Sequence, residues 1–154
     1  MTNFKKELIC SFIPDAVLIP LTNEAKNSII DIKNNNVISM FTFPFRIGRE
    51  SRMSENEKGF FVKLRILSNP SKPNNDIYLF NSTQNLEISK EHFEIEKINN
   101  TFFIKDRNST LGTKLNNEEI GKENANKKYL LKDTDKIKIG SNNSKFEFEF
   151  LILK

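Results

Sequence analysis

The sequence predicts an all-β protein, a sandwich or barrel built from short strands. Three observations carry that expectation. Apolar and polar residues alternate with a period of two in segment after segment, most clearly at Phe146–Leu153, where Phe146, Phe148, Phe150 and Ile152 share one face. Runs with turn chemistry, above all Asn-Asn pairs, separate those segments. Helical periodicity is nearly absent.

Taken in order, Ala16-Val-Leu-Ile-Pro-Leu21 reads as a leading strand. Pro20 has no N–H to give a ladder, so this strand is expected at a sheet edge. Asn23–Ser28 has room for one helical turn, and Asn34-Asn35-Asn36 is a break. Phe45-Arg-Ile-Gly-Arg-Glu50 reads as a strand ending at Gly48. There glycine would permit an unusual backbone angle and throw Arg49 into the following loop. Phe60–Ile66 alternates, with Phe60, Val62, Leu64 and Ile66 on one side, and a Pro/Asn-rich return follows through Asn75. His92–Lys97 and Thr101–Asp106 flank Asn99-Asn100, a two-residue hairpin signal. Asn116-Asn117 is a further turn. Residues 118–128 contain Gly121 and no apolar face, so they read as a loop. Lys136–Gly140 alternates, and Ser141-Asn-Asn-Ser144 turns the chain into its last strand.

Composition excludes several function classes. At 154 residues the chain is expected to form one domain, large enough for a core without staples. One cysteine, Cys10, excludes an internal disulfide framework, and one histidine, His92, excludes a paired-His metal site. No apolar run approaches the ~18 residues of a membrane span. Lys5-Lys6 is followed by Glu7, Pro14 and Asp15, which interrupt any leader, and the cytoplasm is the expected compartment. The net charge of +4 comes from interspersed Lys and Glu, without a basic tract, so neither nucleic acid nor membrane is expected as partner. The 21 Asn residues supply turns that tolerate left-handed backbone.

Five short motifs place polar residues at strand ends. They are Gly48-Arg49, Asp76-Ile77-Tyr78-Leu79, Ser89-Lys-Glu-His92, then Asp106-x-x-Ser109-Thr-Leu-Gly112-Thr113-x-x-Asn116, and finally Asp133-Thr-Asp135-x-Ile137-x-Ile139-Gly140. In this order and local spacing they resemble the forkhead-associated (FHA) domain family. The resemblance covers residues 28–154, with an insertion at 50–75; residues 1–27 form an N-terminal extension outside it. It implies a two-sheet β-sandwich of about eleven strands, FHA/SMAD-like, with an inserted hairpin or long loop. It further implies a stand-alone, non-enzymatic signalling adaptor that binds a phosphothreonine-containing protein or peptide, downstream of a Ser/Thr protein kinase, with no cofactor and no metal.

The residue chemistry agrees. A phosphate monoester carries about −1.5 to −2 charge and three strong acceptor oxygens. Cations and short donors on converging loops suit it. Arg49 would supply a guanidinium fork, Ser89 and Thr110 hydroxyls, and Lys90 a second cation. Gly48, His92, Ser109, Gly112, Thr113 and Asn116 are expected to shape the loops. Ser89 lacks the Gly-x-Ser-x-Gly elbow of a nucleophile, and Asp133 with Asp135 suggests a tight turn.

Three departures stand out. Leu111 replaces the family's usual Asn, whose side chain holds the peptide main chain. Leu111 either packs its own loop or gives the ligand an apolar contact. The insertion at 50–75 is a solvated loop or a partner surface, and Glu50, Glu55 and Glu57 stand close enough in sequence to compete for Arg49. That surface, or a sheet face, would serve the alternative function, a phosphate-independent protein-interaction scaffold. The N-terminal extension is expected to add an edge strand, with Ile9, Phe12, Val17, Ile19 and Leu21 covering the sheet. The rarer reading has a phosphorylated Thr2 or Thr22 folding back into the site.

Overall fold

The computed structural model describes residues 2–30, 37–63, 74–81 and 85–154. In chain order the strands are β1 (Ala16–Pro20), β2 (Ile38–Met40), β3 (Phe45–Arg49), β4 (Met53–Asn56), β5 (Gly59–Val62), β6 (Ile77–Leu79) and β7 (Phe93–Ile98). They continue with β8 (Thr101–Asp106), β9 (Thr113–Leu115), β10 (Glu118–Glu119), β11 (Tyr129–Leu131), β12 (Lys136–Ile139) and β13 (Phe146–Ile152). Two short helices, α1 (Asn3–Ser11) and α2 (Asn23–Ser28), precede most of them.

Eleven of these strands form two sheets, as expected. One has the order β10-β9-β12-β13-β1-β2, the other β11-β8-β7-β3-β6, and β4-β5 stands apart as a hairpin. The inner faces bury Phe93, Phe102, Phe148 and Phe150 with Leu18, Ile47, Ile95 and Ile104. Phe102 meets Phe150 edge-on, ring centres 5.2 Å apart, and Phe43 likewise at 5.4 Å. This core follows from the alternation: β8 buries Phe102, Ile104 and Asp106 while Thr101 stays outside.

The Asn pairs do what their chemistry allows. Asn99 and Asn100 have φ of 48° and 61°, and Asn116 and Asn117 have 48° and 72°. Such paired left-handed residues make the two-residue turn whose twist matches a hairpin. They close β7 onto β8 (Ile98↔Thr101) and β9 onto β10 (Leu115↔Glu118). The Asn34–Asn36 break, Leu64 to Ile66 and residues 69–73 lie outside the described residues.

Four expectations are corrected. First, β1 is not at an edge; it pairs with β13 over its whole length and with β2 from Ala16 to Leu18. Leu21 N–H bonds Glu147 O, so odd residues face β13 and the Pro20 nitrogen faces the other side, past the last residue that pairs with β2. The proline therefore costs no bond in the middle of a sheet. Second, Ile9 and Phe12 do not cover a sheet. They belong to α1 and its cap, which bury no residue, and Phe12 is 74% exposed. Third, Thr2 and Thr22 are helix caps, their side chains accepting from Lys5 N–H and Ala25 N–H respectively. Fourth, Glu50 does not reach for Arg49; its carboxylate bonds Arg52 Nε (3.1 Å), Nη2 (3.0 Å) and backbone N–H (2.8 Å).

β3 and β6 run parallel, Arg49 opposite Leu79. A parallel neighbour requires the chain to travel back to its starting end. The β4-β5 hairpin lies between the two strands in the sequence. The helix α2 packs on β1 and β13, burying Ala25 and Ser28, and Ser28 O accepts the Phe80 N–H just past β6 at 2.8 Å.

Candidate functional site

Three loops converge at the end of the sandwich where β3 stops. Arg49 is the last residue of β3, and its N–H donates to Ser89 O at 2.9 Å. Gly48 lies inside the strand and has no left-handed φ, contrary to the expected backbone role. Its requirement is space: a Cβ there would sit 2.0 Å from Lys90 O and 2.6 Å from Asn75 Nδ2. Absence of a side chain lets the Ser89–Lys90 loop lie directly on β3.

His92 sets the shape of that loop. Its Nδ1 accepts the Ser89 N–H at 2.9 Å, so the ring proton is on Nε2, which donates to Gly112 O at 3.0 Å. One buried ring thus joins the Ser89 loop to the loop before β9. Burial holds its pKa down, to about 4, against the pull of the Gly112 carbonyl and the Asp106 and Glu119 charges. The imidazole stays neutral, as both bonds require.

Asp106, at the end of β8 and fully buried, holds the third loop. It accepts Ser109 N–H (2.9 Å), Ser109 Oγ–H (2.5 Å) and Thr113 Oγ1–H (2.5 Å). Gly112 has φ of +88° and its carbonyl also takes the Gly140 N–H at 2.9 Å. Thr110 is thereby delivered to Ser89: Thr110 N–H bonds Ser89 Oγ at 2.9 Å, and the two hydroxyls are 3.3 Å apart.

Together these loops line a groove of about 620 Å³, with Arg49, Asn74, Leu86, Ile88, Ser89, Lys90, Glu91, Arg107, Asn108 and Thr110 on its walls. Three of these side chains are cationic and one, Glu91, is anionic. Arg49 Nε is buried and has no hydrogen-bond partner among the described residues. A buried guanidinium donor left unmet is costly unless an acceptor arrives. The groove therefore combines a guanidinium with one desolvated, unmet donor, two hydroxyls and a lysine, which is chemistry for an anion with several oxygens.

Of the expected site residues, Arg49, Ser89, Lys90 and Thr110 meet in this groove. Leu111 does not line it. Thr110 is tied to Ser89 and Gly112 to His92 and Gly140, which leaves the intervening side chain half-buried off the groove. Asn116 is also elsewhere: just past the end of β9, in the turn to β10, its Nδ2 donates to Asp135 Oδ1 and its Oδ1 accepts the Lys136 N–H, bracing the turn before β12.

Three contributors lie outside the expected set. Asn75, buried, donates to Lys90 O (2.7 Å) and accepts from Arg107 Nη1 (2.8 Å). Arg107 Nη1 also bonds Asn74 O at 3.1 Å, and Nη2 is 3.4 Å from Glu91. Asn81 accepts the Glu87 and Ile88 N–H groups and donates to Asn85 O. No local pattern marks these residues, because each is defined by the chain it grips: Asn75 holds Lys90 O, 15 residues on, and Arg107 reaches back to Asn74 and Asn75. Among the described residues, no group of three or more His, Cys, Asp or Glu could hold a metal ion, and no helix is long and apolar enough to cross a membrane.

The comparisons agree with this architecture. The FHA domain family model matches residues 45–140. No curated protein matches the chain. The N-terminal FHA domain of S. cerevisiae Rad53p, solved with a phosphothreonine peptide, superposes with a TM-score of 0.55 at 19% identity, over 90% of this chain and 93% of that one. Yeast Pml1p gives 0.54 at 16%, over 90% and 81%. An FHA domain of an Arabidopsis thaliana hypothetical protein gives 0.52 at 18%, over 92% and 88%. Since the family model spans more than half of the sequence, and the two-sheet sandwich is shared with these structures, the chain belongs to the FHA domain family.

Proposed function

We propose that this protein is a phosphothreonine-peptide-binding module. The observation that carries the reading is the buried, unpartnered Nε of Arg49 beside the Ser89–Thr110 hydroxyl pair, on a groove with three cationic side chains. A phosphate there would accept from the guanidinium, from Ser89 Oγ and from Thr110, with Lys90 adding charge. The Rad53p domain is bound to a phosphothreonine peptide, which supports the same ligand class here. Each charge-assisted bond contributes ~1.5–3 kcal/mol, and two or three suit micromolar binding, about −8 kcal/mol, after ordering costs.

The role is binding and not catalysis. His92 Nδ1 is engaged with a backbone N–H, and Ser89 Oγ faces Thr110, so no base addresses the hydroxyl. In a cell the module would act as an adaptor for the product of a Ser/Thr kinase. The second reading, a phosphate-independent scaffold, draws on the β4-β5 hairpin, which stands outside both sheets.

The test is a titration with a phosphothreonine peptide pool, its phosphoserine and unphosphorylated counterparts, and an Arg49→Ala variant of unchanged melting temperature. Binding restricted to phosphothreonine and lost in the variant is expected. Binding indifferent to phosphate and to Arg49 would instead favour the scaffold.

A further inference from the structure

Two apolar side chains line this charged groove, Leu86 and Ile88, and Ile88 is buried. Leu86 is 45% exposed. An exposed leucine alone means nothing, since much of any protein surface is apolar. What distinguishes Leu86 is how its backbone is held. Asn81, itself buried, grips both flanks: Nδ2 donates to Asn85 O at 2.9 Å, while Oδ1 accepts Glu87 N–H at 2.8 Å and Ile88 N–H at 3.0 Å. Glu87 is pinned in turn, its carboxylate accepting Ser141 N–H at 2.7 Å and Ser141 Oγ–H at 2.9 Å. Its side chain also fills the space over Gly140, where a Cβ would meet Glu87 Oε2 and backbone.

Residues 85–88 are thus a built loop. The ordering cost of presenting Leu86 is met on folding, before any ligand arrives, which is the condition under which a contact adds affinity. The loop continues directly into Ser89, so Leu86 stands three residues from the hydroxyl assigned to the phosphate. The rest of the lining, with Arg107, Glu91 and Asn108 among it, is polar.

We infer that Leu86 is a specificity contact that selects ligands with an apolar side chain at one position flanking the phosphorylated residue. The inference rests on the phosphopeptide reading above and deepens it. It also moves the apolar contact from Leu111, which does not line the groove, to a residue with no motif of its own.

The experiment is a positional peptide set on the full chain. Phosphothreonine is fixed, and each flanking position is changed in turn to Leu, Ser, Asp or Lys. Wild type is compared with Leu86→Ala and Leu86→Lys, substitutions at a side chain exposed enough to leave folding intact, checked by melting. At one position wild type is expected to prefer Leu over Ser about tenfold, the equivalent of one well-covered aliphatic side chain. Leu86→Ala should reduce that preference to about threefold or less while phosphothreonine binding to the Ser peptide persists. Leu86→Lys should turn the preference at the same position toward Asp. Equal binding of Leu and Ser at every position, or an apolar preference unaltered in both variants, overturns the inference and leaves the phosphopeptide reading standing. Absence of binding to every phosphothreonine peptide overturns that reading, and the inference with it.

Discussion

Ser89 and Thr110 hold each other: Thr110 donates its N–H to Ser89 Oγ, and the two hydroxyl oxygens lie 3.3 Å apart. The contact joins loops 21 residues apart in sequence into one donor pair beside Arg49. Neither hydroxyl is deeply buried, so either can turn from its neighbour to an incoming oxygen with little loss to the fold.

Ser89→Ala should therefore weaken phosphothreonine-peptide binding about tenfold, one charge-assisted bond. Its melting temperature should move by no more than a degree or two. Calorimetric titration beside a thermal melt checks this; unchanged affinity would remove Ser89 from the phosphate contacts.

His92 makes stability depend on pH. Its folded pKa lies near 4, below the ordinary 6.5, because burial disfavours the imidazolium and Nδ1 must accept a bond. The unfolded chain therefore binds the proton first as pH falls. The stabilisation is complete above pH 6.5 and is lost progressively between about 6.5 and 4. From pH 7 to 5 the loss is about 2 kcal/mol. The carboxylates with lowered pKa, Asp15 held by Lys97 and Glu96 by Lys128, lose their stabilisation as pH falls past their ordinary values of 3.8 and 4.5, below the interval from pH 7 to 5. Urea midpoints at pH 7 and 5 should fall for wild type and stay nearly level for His92→Gln. Parallel slopes would contradict the buried neutral imidazole.

Asp106 satisfies three donors in a fully buried place. Asp106→Ala leaves Ser109 and Thr113 hydroxyls unmet and should cost about 3 kcal/mol. That corresponds to a fall in Tm of roughly 6–12 °C at this chain length. A drop under 2 °C would show that the loop is held by something else.

Gly48→Ala tests whether space is what the position demands. The added Cβ would collide with Lys90 O, a backbone atom that moves only with its loop. Destabilisation of about 1–3 kcal/mol is expected, with phosphopeptide affinity lowered as Ser89 is displaced. A variant of native stability and affinity would mean that the loop can yield freely.

The two halves of the N-terminal extension should separate cleanly. Deleting residues 1–13 removes α1, which buries nothing, and Tm should stay within about 2 °C. Deleting residues 1–21 also removes β1 from between β13 and β2, and the product should not fold. A folded product, seen by near-ultraviolet circular dichroism, would contradict the central place of β1.

The strands and turns were legible because their causes are local. Alternation is read within one segment, so β8 was expected at its observed ends. Asn99-Asn100 carries its own left-handed preference, so it announces its hairpin. The motifs also marked Arg49, Ser89, Lys90 and Thr110, because loop ends with short donors and cations have few other uses. Pro20 misled, since a proline says that one N–H is missing but not which way it points. Position in the sheet decided that. Gly48 misled in the same way: its need is the approach of Lys90 O, 42 residues along the chain. Tertiary structure alone brought Asn75 to Lys90 and Arg107, and left Leu111 off the groove. Those outcomes rest on hydrogen bonds between loops that meet only after the sheets have stacked, and a donor's partner across such a distance has no signature in its own neighbourhood.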